Sequence, residues 1–194
     1  MRKICKKEQS INRQKDIEKV FLGLLLKKDY EDITICEICQ VANIPRKAFY
    51  RYFECKESLL NSLILHTLQA YPAFKVGFVA EKRNIISELK DFFEFWLCEP
   101  QNSLIKVLMK NDFESLLLSH SLSFPTQFMD LDKFFPNETP KHRSHILKFA
   151  ITGLMTLMFD WLKDGCKEST LEMANIARRM LEQPLFPNLS SMGF

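Results

Sequence analysis

A short run of cations and tyrosines between positions 46 and 56 carries the residue types best suited to bind an anion. Its polar members are Arg46, Lys47, Tyr50, Arg51, Tyr52 and Lys56. Guanidinium and ammonium groups donate charge-assisted hydrogen bonds to phosphate, and a phenol adds a neutral donor. If the run is helical, Phe49 and Phe53 share its buried face at the spacing i, i+4 and leave the polar side chains outward. The composition therefore indicates a helix that contacts the phosphates and base edges of double-stranded DNA.

The residues before this run predict the elements that position it. Thr34, followed by Glu37 three residues later, is a capping-box pattern that opens a helix. Asn43-Ile44-Pro45 ends that helix, because Asn tolerates a left-handed turn and Pro suits the start of the next helix. The second helix is expected over about residues 46–53, and a longer helix is expected from Lys56 to Pro72. Two helices joined by a tight turn can place the second helix in a major groove.

The distribution of charge agrees with this location. Residues 1–60 contain 13 Lys/Arg against 9 Asp/Glu, whereas residues 61–194 contain 14 against 15. The positive excess therefore lies in the N-terminal part, as expected when one small module faces phosphate. The charged N-terminus predicts no secretory signal, and the apolar stretch 146–162 is expected to fall short of a membrane span. We therefore expect a cytoplasmic protein with reduced cysteines and no membrane partner.

The stretch from Thr34 to Leu60 resembles the DNA-binding domain of the TetR (tetracycline-repressor-like) family. Residues 38–39 correspond to the family's Ile-Ala, residues 42–45 to its turn, residues 50–53 to Tyr-x-x-Phe and residues 56–59 to Lys-x-x-Leu. Two positions depart from the pattern. Asn43 replaces the usual turn glycine, and Pro45 replaces a capping hydroxyl that also faces phosphate.

The resemblance covers about residues 11–65 and implies a set of contacts to DNA. The implied contacts to the DNA backbone or bases come from Thr34, Arg46, Lys47, Ala48, Tyr50, Arg51 and Lys56. The partner implied is a palindromic double-stranded operator, bound by a repressor. A family member that has lost DNA binding and acts as a co-regulator is an open alternative. So is a helical carrier or enzyme for a hydrophobic small molecule.

The C-terminal stretch 149–181 resembles the last two helices of a TetR subgroup of the Firmicutes type. In that family these helices pair with those of a second subunit, so the resemblance implies a homodimer. The sequence agrees, since a helix that is apolar most of the way round needs burial on two sides. The residues predicted to form the dimer interface are Gly153, Met158, Trp161, Ile176 and Met180. The alternative is that this helix is the central core helix of a monomer.

Aromatic and Met residues between positions 74 and 160 predict either an apolar ligand pocket or a helical core. The candidates for a pocket are Phe92, Phe93, Trp96, Met109, Phe113, Phe128 and Phe149. A pocket of this composition would take a small apolar or aromatic effector. For each of these residues, packing in the core is the competing interpretation.

The expected architecture is all-α, with about nine helices. The first helix is expected to bury Ile17 and Phe21, and a short helix is expected around residues 128–135. Gly165 is expected to end the helix before it, and a capping box of Ser169 and Glu172 to open the last helix.

A helix-turn-helix domain is expected at residues 1–55 and a helical ligand-binding and dimerisation domain at residues 56–194. We expect no catalytic residues, no cofactor and no metal site. Cys36 and Cys39 form a C-x-x-C pair, but structural zinc needs four ligands and no second pair lies at suitable spacing.

Overall fold

The computed structural model describes residues 2–76, 85–128 and 136–182. These residues are helical and contain no strand, so the predicted all-α class is confirmed. Across the described ranges there is a 3₁₀ turn at Tyr30–Asp32 and the following α-helices: α1 (Arg2–Leu25), α2 (Ile35–Val41), α3 (Arg46–Phe49), α4 (Lys56–Val76), α5 (Ile85–Leu97), α6 (Gln101–Lys110), α7 (Glu114–Phe128), α8 (Pro140–Lys163) and α9 (Thr170–Glu182).

The chain divides into two compact units. Unit 1 contains the described residues up to Ala70 together with Glu99–Phe113, and unit 2 contains the other described residues. This division falls inside α4 and assigns α6 to the N-terminal unit. The boundary predicted at residues 55/56 separates a DNA-binding domain from a ligand-binding and dimerisation domain, whereas this division follows packing. The predicted boundary stays a prediction.

Unit 1 is built around the apolar face of α1. Ile17, Phe21 and Leu25, spaced four residues apart, are each no more than 1% exposed, which is the expected result of a 3.6-residue period. Helix α1 packs against α2 and α6, and α2 packs against α3. This core holds the helix-turn-helix on a rigid support.

The turn after α6 is bonded to the 3₁₀ turn of the same unit. The Tyr30 amide donates to Asn111 Oδ1 (2.9 Å), and the Tyr30 ring meets the Phe113 ring edge to face at 5.0 Å between centroids. Lys110 Nζ lies 2.6 Å from an Asp29 carboxylate oxygen. Residues about 80 positions apart in sequence are therefore joined by backbone and ring contacts.

Helix α4 is longer than expected. It continues through Pro72 to Val76, so the prediction that Pro72 ends it is wrong. A proline inside a helix removes one N–H donor but need not end the helix where packing continues beyond it. Here Tyr71, in unit 2, stacks edge to face on Phe95 with ring centroids 5.1 Å apart.

Unit 2 is centred on the packing of α5 against α9. Phe93 and Trp96 of α5 and Met173 and Ala174 of α9 are all buried. The segment around residues 102–122 forms two helices, α6 and α7, separated at residues 111–113. The short helix expected around residues 128–135 lies outside the described residues, except for Phe128, which ends α7.

Local signals set the ends of the last two helices, as predicted. Ser169 and Glu172 form a complete capping box, in which the Glu172 amide donates to Ser169 Oγ (3.2 Å) and the Ser169 amide donates to Glu172 Oε2 (2.7 Å). Gly165, two residues after α8, has φ +83°, a value that glycine adopts without steric cost.

Candidate nucleic-acid interface

The first helix of the helix-turn-helix begins at the expected cap. Thr34 Oγ1 accepts a hydrogen bond from the Glu37 amide (3.2 Å), while the Glu37 carboxylate pairs with Lys28 Nζ at 2.5 Å. The predicted N-cap is thus confirmed. Thr34 is exposed, and its hydroxyl, which accepts in the cap, keeps one O–H donor.

The turn after α2 uses the residue that departs from the family pattern. Asn43 has φ 50°, the left-handed conformation that Asn tolerates better than most residues. The Ile44 amide donates to the Cys39 carbonyl (3.0 Å), which closes the end of α2. Pro45 is the N-cap of α3 and provides no side-chain cap. The glycine of the family pattern is therefore replaced without loss of the turn.

The second helix is shorter than predicted. It ends at Phe49, and the residues up to Tyr52 continue as turns. The Arg51 and Tyr52 amides donate to carbonyls three residues earlier, a tighter spacing than in an α-helix. We call residues 46–52 the recognition segment.

The recognition segment presents its polar residues to solvent. Arg46, Lys47 and Arg51 are exposed, and Tyr50 is 47% exposed. Arg46 Nη2 donates to Tyr50 Oη at 3.4 Å, so two predicted DNA contacts form a joint surface. Phe49 and Phe53, at 0% and 4% exposure, anchor the segment from beneath.

Ala48 does not belong to this surface. Its side chain is 8% exposed and is turned inward beside Phe49. The Ala48 side chain is therefore not part of the exposed surface, and its predicted contact with DNA stays a prediction. Its position two residues after Arg46 and two before Tyr50 places it on the opposite side of the helical turn.

Lys56 is directed toward the protein rather than toward solvent. Its Nζ donates to the carbonyls of Tyr30 (2.6 Å) and Ile33 (3.0 Å) and lies 4.0 Å from the centroid of the Tyr30 ring. Burial, and then the Glu57 carboxylate, raises the pKa of Tyr30 above its usual value, so the phenol beneath the ammonium is neutral. In this geometry Lys56 ties the 3₁₀ turn to the start of α4 with two of its three N–H donors, and its predicted contact with DNA stays a prediction.

Replacing Lys56 with methionine is expected to lower the free energy of unfolding by about 1–3 kcal/mol, because the apolar stem is kept while two carbonyls lose a charged donor. Urea-induced unfolding measures this loss. The matched control is Lys47→Met, at an exposed position, which should change stability by less than about 0.5 kcal/mol. A Lys56→Met protein of unchanged stability but weakened DNA binding would show instead that Lys56 acts as a direct contact.

A cleft beside the recognition segment contains residues of α1 that no sequence motif singled out. It is lined by Gln9, Ser10, Asn12, Arg13, Asp16, Arg51 and Tyr52. Almost 40 positions separate its two halves, so only the fold brings them together. The helical spacing of positions 9, 13 and 16 predicts that these residues share one face of α1. It does not predict that this face lies beside residues 51 and 52.

The C-x-x-C pair lies at the base of the turn. Cys36 is exposed and Cys39 is 5% exposed. Burial raises the pKa of the Cys39 thiol, with a further contribution from Cys36. Among the described residues no three His, Cys, Asp or Glu side chains come together as a metal site. Cys39 occupies the small buried position of α2 and packs there.

The predicted dimer residues separate into two groups. Met158 and Trp161 are 0% and 3% exposed, and Trp161 packs edge to face on Phe93. Their assignment to an interface is wrong, because they belong to the core of unit 2. Gly153 and Met180 are exposed and Ile176 is partly exposed.

Gly153 and Met180 line an apolar groove between α8 and α9. We call this groove the α8–α9 face; it is lined by Phe149, Ala150, Gly153, Leu154, Thr156, Leu157, Asp160, Ala177, Met180 and Leu181. Phe149 is 64% exposed and lines this groove, so its predicted place in a ligand pocket stays a prediction. Asp160 is the one ionisable residue of the lining.

The other pocket candidates are dispersed. Phe93 and Trp96 pack against Trp161 and Phe95 respectively, and Phe92 is partly exposed beside Phe93. Met109 and Phe113 belong to unit 1, where Phe113 meets Tyr30. The side chain of Phe128 lies outside the described residues. The predicted effector pocket therefore stays a prediction.

Helix α8 is long and apolar enough, by length and composition, to cross a bilayer. The expectation that this stretch falls short of a span is therefore wrong on that criterion. Only 22% of its apolar window is buried. A helix of a water-soluble protein has the same properties when its outer face is covered by a partner, and the absence of a membrane partner stays a prediction.

Comparison with known proteins identifies the family. Residues 83–183, just over half of the chain, match the TetR-type family model described as "Transcriptional regulator C-terminal region". The chain is 41% identical over 54 residues to the HTH-type dhaKLM operon transcriptional activator DhaS of Lactococcus lactis subsp. lactis, a match that covers 28% of this chain and 29% of that protein. The chain thus aligns with less than a third of this relative.

Solved structures share the fold at low sequence identity. A dihydroxyacetone kinase operon activator DhaS has a TM-score of 0.58 at 19% identity, with 88% of this chain and 94% of that chain covered. A TetR-family regulator from Streptomyces coelicolor has a TM-score of 0.55 at 18% identity, with 87% and 80% covered. The fatty acid degradation regulator FadR from Bacillus halodurans has a TM-score of 0.58 at 14% identity, with 89% and 96% covered. With a family model matched over most of unit 2 and a helix-turn-helix in unit 1, the chain belongs to the TetR family of transcriptional regulators.

Proposed function

We propose that the protein regulates transcription by binding a palindromic DNA operator as a homodimer. The observation that carries this proposal is the recognition segment, where Arg46, Lys47, Tyr50 and Arg51 are exposed on a helix-turn-helix whose apolar residues are buried. Exposed guanidinium, ammonium and phenol groups at the N-terminal part of such a helix suit base edges and phosphates. Membership of a family of transcriptional regulators supports the same function.

The homodimer is supported by the α8–α9 face. Phe149, Met180 and Leu181 are 64%, 49% and 38% exposed there, and one ionisable residue interrupts the apolar surface. Exposed apolar surface of this kind marks an interface with another protein chain. A twofold axis at this face would give a second copy of the recognition segment, as a palindromic operator requires.

Repression is the direction of regulation that we propose first, through steric competition with polymerase at an overlapping site. Activation is the second candidate, because the relative from Lactococcus lactis and the solved DhaS structure are both named as activators. A reporter gene downstream of the selected operator distinguishes them, since deletion of the regulator raises expression in the first case and lowers it in the second.

We further propose that a small apolar or aromatic effector controls release from DNA, that the protein works in the cytoplasm, and that it is not an enzyme.

Replacing Lys47 with alanine is expected to weaken DNA binding at least tenfold. The exposed ammonium contacts a phosphate or a base edge, and one such contact contributes about 1–3 kcal/mol per subunit. The probe is a duplex selected from random-sequence DNA by the wild-type protein, and fluorescence anisotropy measures its affinity at several salt concentrations. The matched control is Lys27→Ala, an exposed lysine beyond the end of α1. A wild-type protein that selects no duplex, or equal affinities for the two variants, would contradict the proposal.

A further inference from the structure

The structure assigns a second DNA contact to the cleft between α1 and the end of the recognition segment. We propose that this cleft, which we name the phosphate cleft, binds a phosphodiester group of the DNA backbone next to the groove that the recognition segment enters. The residues that carry it are Arg13 of α1 and Arg51 of the recognition segment, which line one cleft and are both exposed. This inference rests on the proposed DNA binding and extends it to α1.

The charges of the phosphate cleft favour an anion. Two guanidinium groups and one carboxylate, that of Asp16, line the cleft, so its ionisable side chains have a net charge of +1. This excess of positive charge favours an anion. A phosphate oxygen pair meets both guanidinium groups with charge-assisted hydrogen bonds, which a neutral ligand cannot do.

The other lining groups are hydrogen-bond donors of the kind that contact DNA backbones. Gln9, Ser10 and Asn12 contribute amide and hydroxyl groups from about one turn of α1, and Tyr52 contributes a phenol. Side chains of these types make much of the sequence-independent contact to phosphate and sugar in protein–DNA complexes. The Arg51 guanidinium lies 5.8 Å from the centroid of the Tyr52 ring, so these two lining residues also make a cation–π contact.

The position of the phosphate cleft identifies which partner supplies the anion. Arg51 and Tyr52 belong to the recognition segment, so the cleft is continuous along the chain with Arg46, Lys47 and Tyr50. When the recognition segment enters a major groove, the backbone that borders the groove passes beside the segment. A phosphodiester of the same duplex is thus the nearest anion, and no separate ligand is required.

The experiment compares two cations of α1 in the full-length protein, using the duplex selected by the wild-type chain. Arg13→Ala is expected to weaken binding roughly tenfold. It should also reduce the slope of log affinity against log salt by about 0.9 for each phosphate that is no longer neutralised, or about 2 for a dimer. Lys19→Ala, an exposed cation of α1 that does not line the cleft, should leave both quantities near the wild-type values. Arg13→Lys should recover most of the affinity, because an ammonium binds phosphate as a point charge.

The substitution Asp16→Asn tests whether negative charge in the phosphate cleft opposes DNA binding. Removal of the one carboxylate in the phosphate cleft should raise DNA affinity several-fold, since a like charge beside the phosphate is lost. Equal effects of Arg13→Ala and Lys19→Ala, or a loss of affinity in Asp16→Asn, would overturn the inference. If Lys47→Ala still weakens binding in that case, the proposed function stands without the phosphate cleft; if the wild-type chain binds no duplex, both are overturned.

Discussion

Replacing Phe149 with glutamate is expected to convert the protein from a dimer to a 22.8 kDa monomer. The phenyl ring is 64% exposed on the α8–α9 face of a single chain. In a dimer through this face the ring is buried, and a carboxylate in its place would lie unpaired in an apolar interface from each subunit. An uncompensated buried charge costs about 3–5 kcal/mol, so the dissociation constant should rise at least about a hundredfold. Sedimentation velocity at micromolar concentration measures the change.

The control for this prediction is a charge placed on an equally exposed apolar residue elsewhere. Leu26, just beyond α1 in unit 1, is 53% exposed, and Leu26→Glu should sediment like the wild type. A Phe149→Glu protein that remains dimeric would place the interface on another surface. A wild-type protein that sediments at 22.8 kDa would contradict the homodimer itself and favour the monomer with a central core helix.

Replacing Phe49 with alanine is expected to lower the free energy of unfolding of unit 1 by about 3–5 kcal/mol. The ring is 0% exposed and meets the rings of Tyr50 and Phe53 at centroid distances of 5.5 and 5.6 Å. Its removal leaves a cavity beneath the recognition segment, which has only four α-helical residues of its own. A short segment gains little stability from its own hydrogen bonds and depends on packing.

Hydrogen exchange over residues 46–60 measures this loss locally, and urea unfolding measures it for the whole chain. The matched control is Val41→Ala, since Val41 is 57% exposed at the end of α2, and it should cost less than about 0.5 kcal/mol. A loss below about 1 kcal/mol for Phe49→Ala would mean that the recognition segment holds its shape without this anchor. In that case DNA binding should survive the substitution as well.

The features that the sequence predicted correctly depend on neighbouring residues. The caps at Thr34 and Ser169 are interactions across three positions, and both are present in the structure. The left-handed turn at Asn43 follows from the conformational freedom of one residue type. Buried positions such as Ile17, Phe21 and Phe49 follow from the helical period. Caps, turns and helical spacing can be predicted from sequence because the interacting residues lie within about one turn of helix.

The features that residue type and spacing did not predict are contacts between residues far apart in sequence. Lys56 is a residue type that commonly contacts phosphate, but here it donates hydrogen bonds to carbonyls 23 and 26 positions earlier. Phe149 and Met158 are both apolar residues of α8, and only the packing of unit 2 determines that the first is exposed and the second buried. Arg13 lies outside the motif, and only the fold brings it into one cleft with Arg51. Residue type and spacing cannot specify which side of an element is covered.

The assignment of α6 to unit 1 bears on how this protein can be recombined with its relatives. The Tyr30 amide, on the turn that Lys56 clamps, depends on Asn111 for its acceptor, and buried Leu104, Ile105 and Leu108 come from the same inserted helix. A chimera joined directly after the helix-turn-helix would therefore contain a DNA-binding unit that lacks part of its hydrophobic core. When C-terminal domains are exchanged between regulators of this kind, we expect a folded product only if residues 99–113 come from the same parent protein as the N-terminal segment.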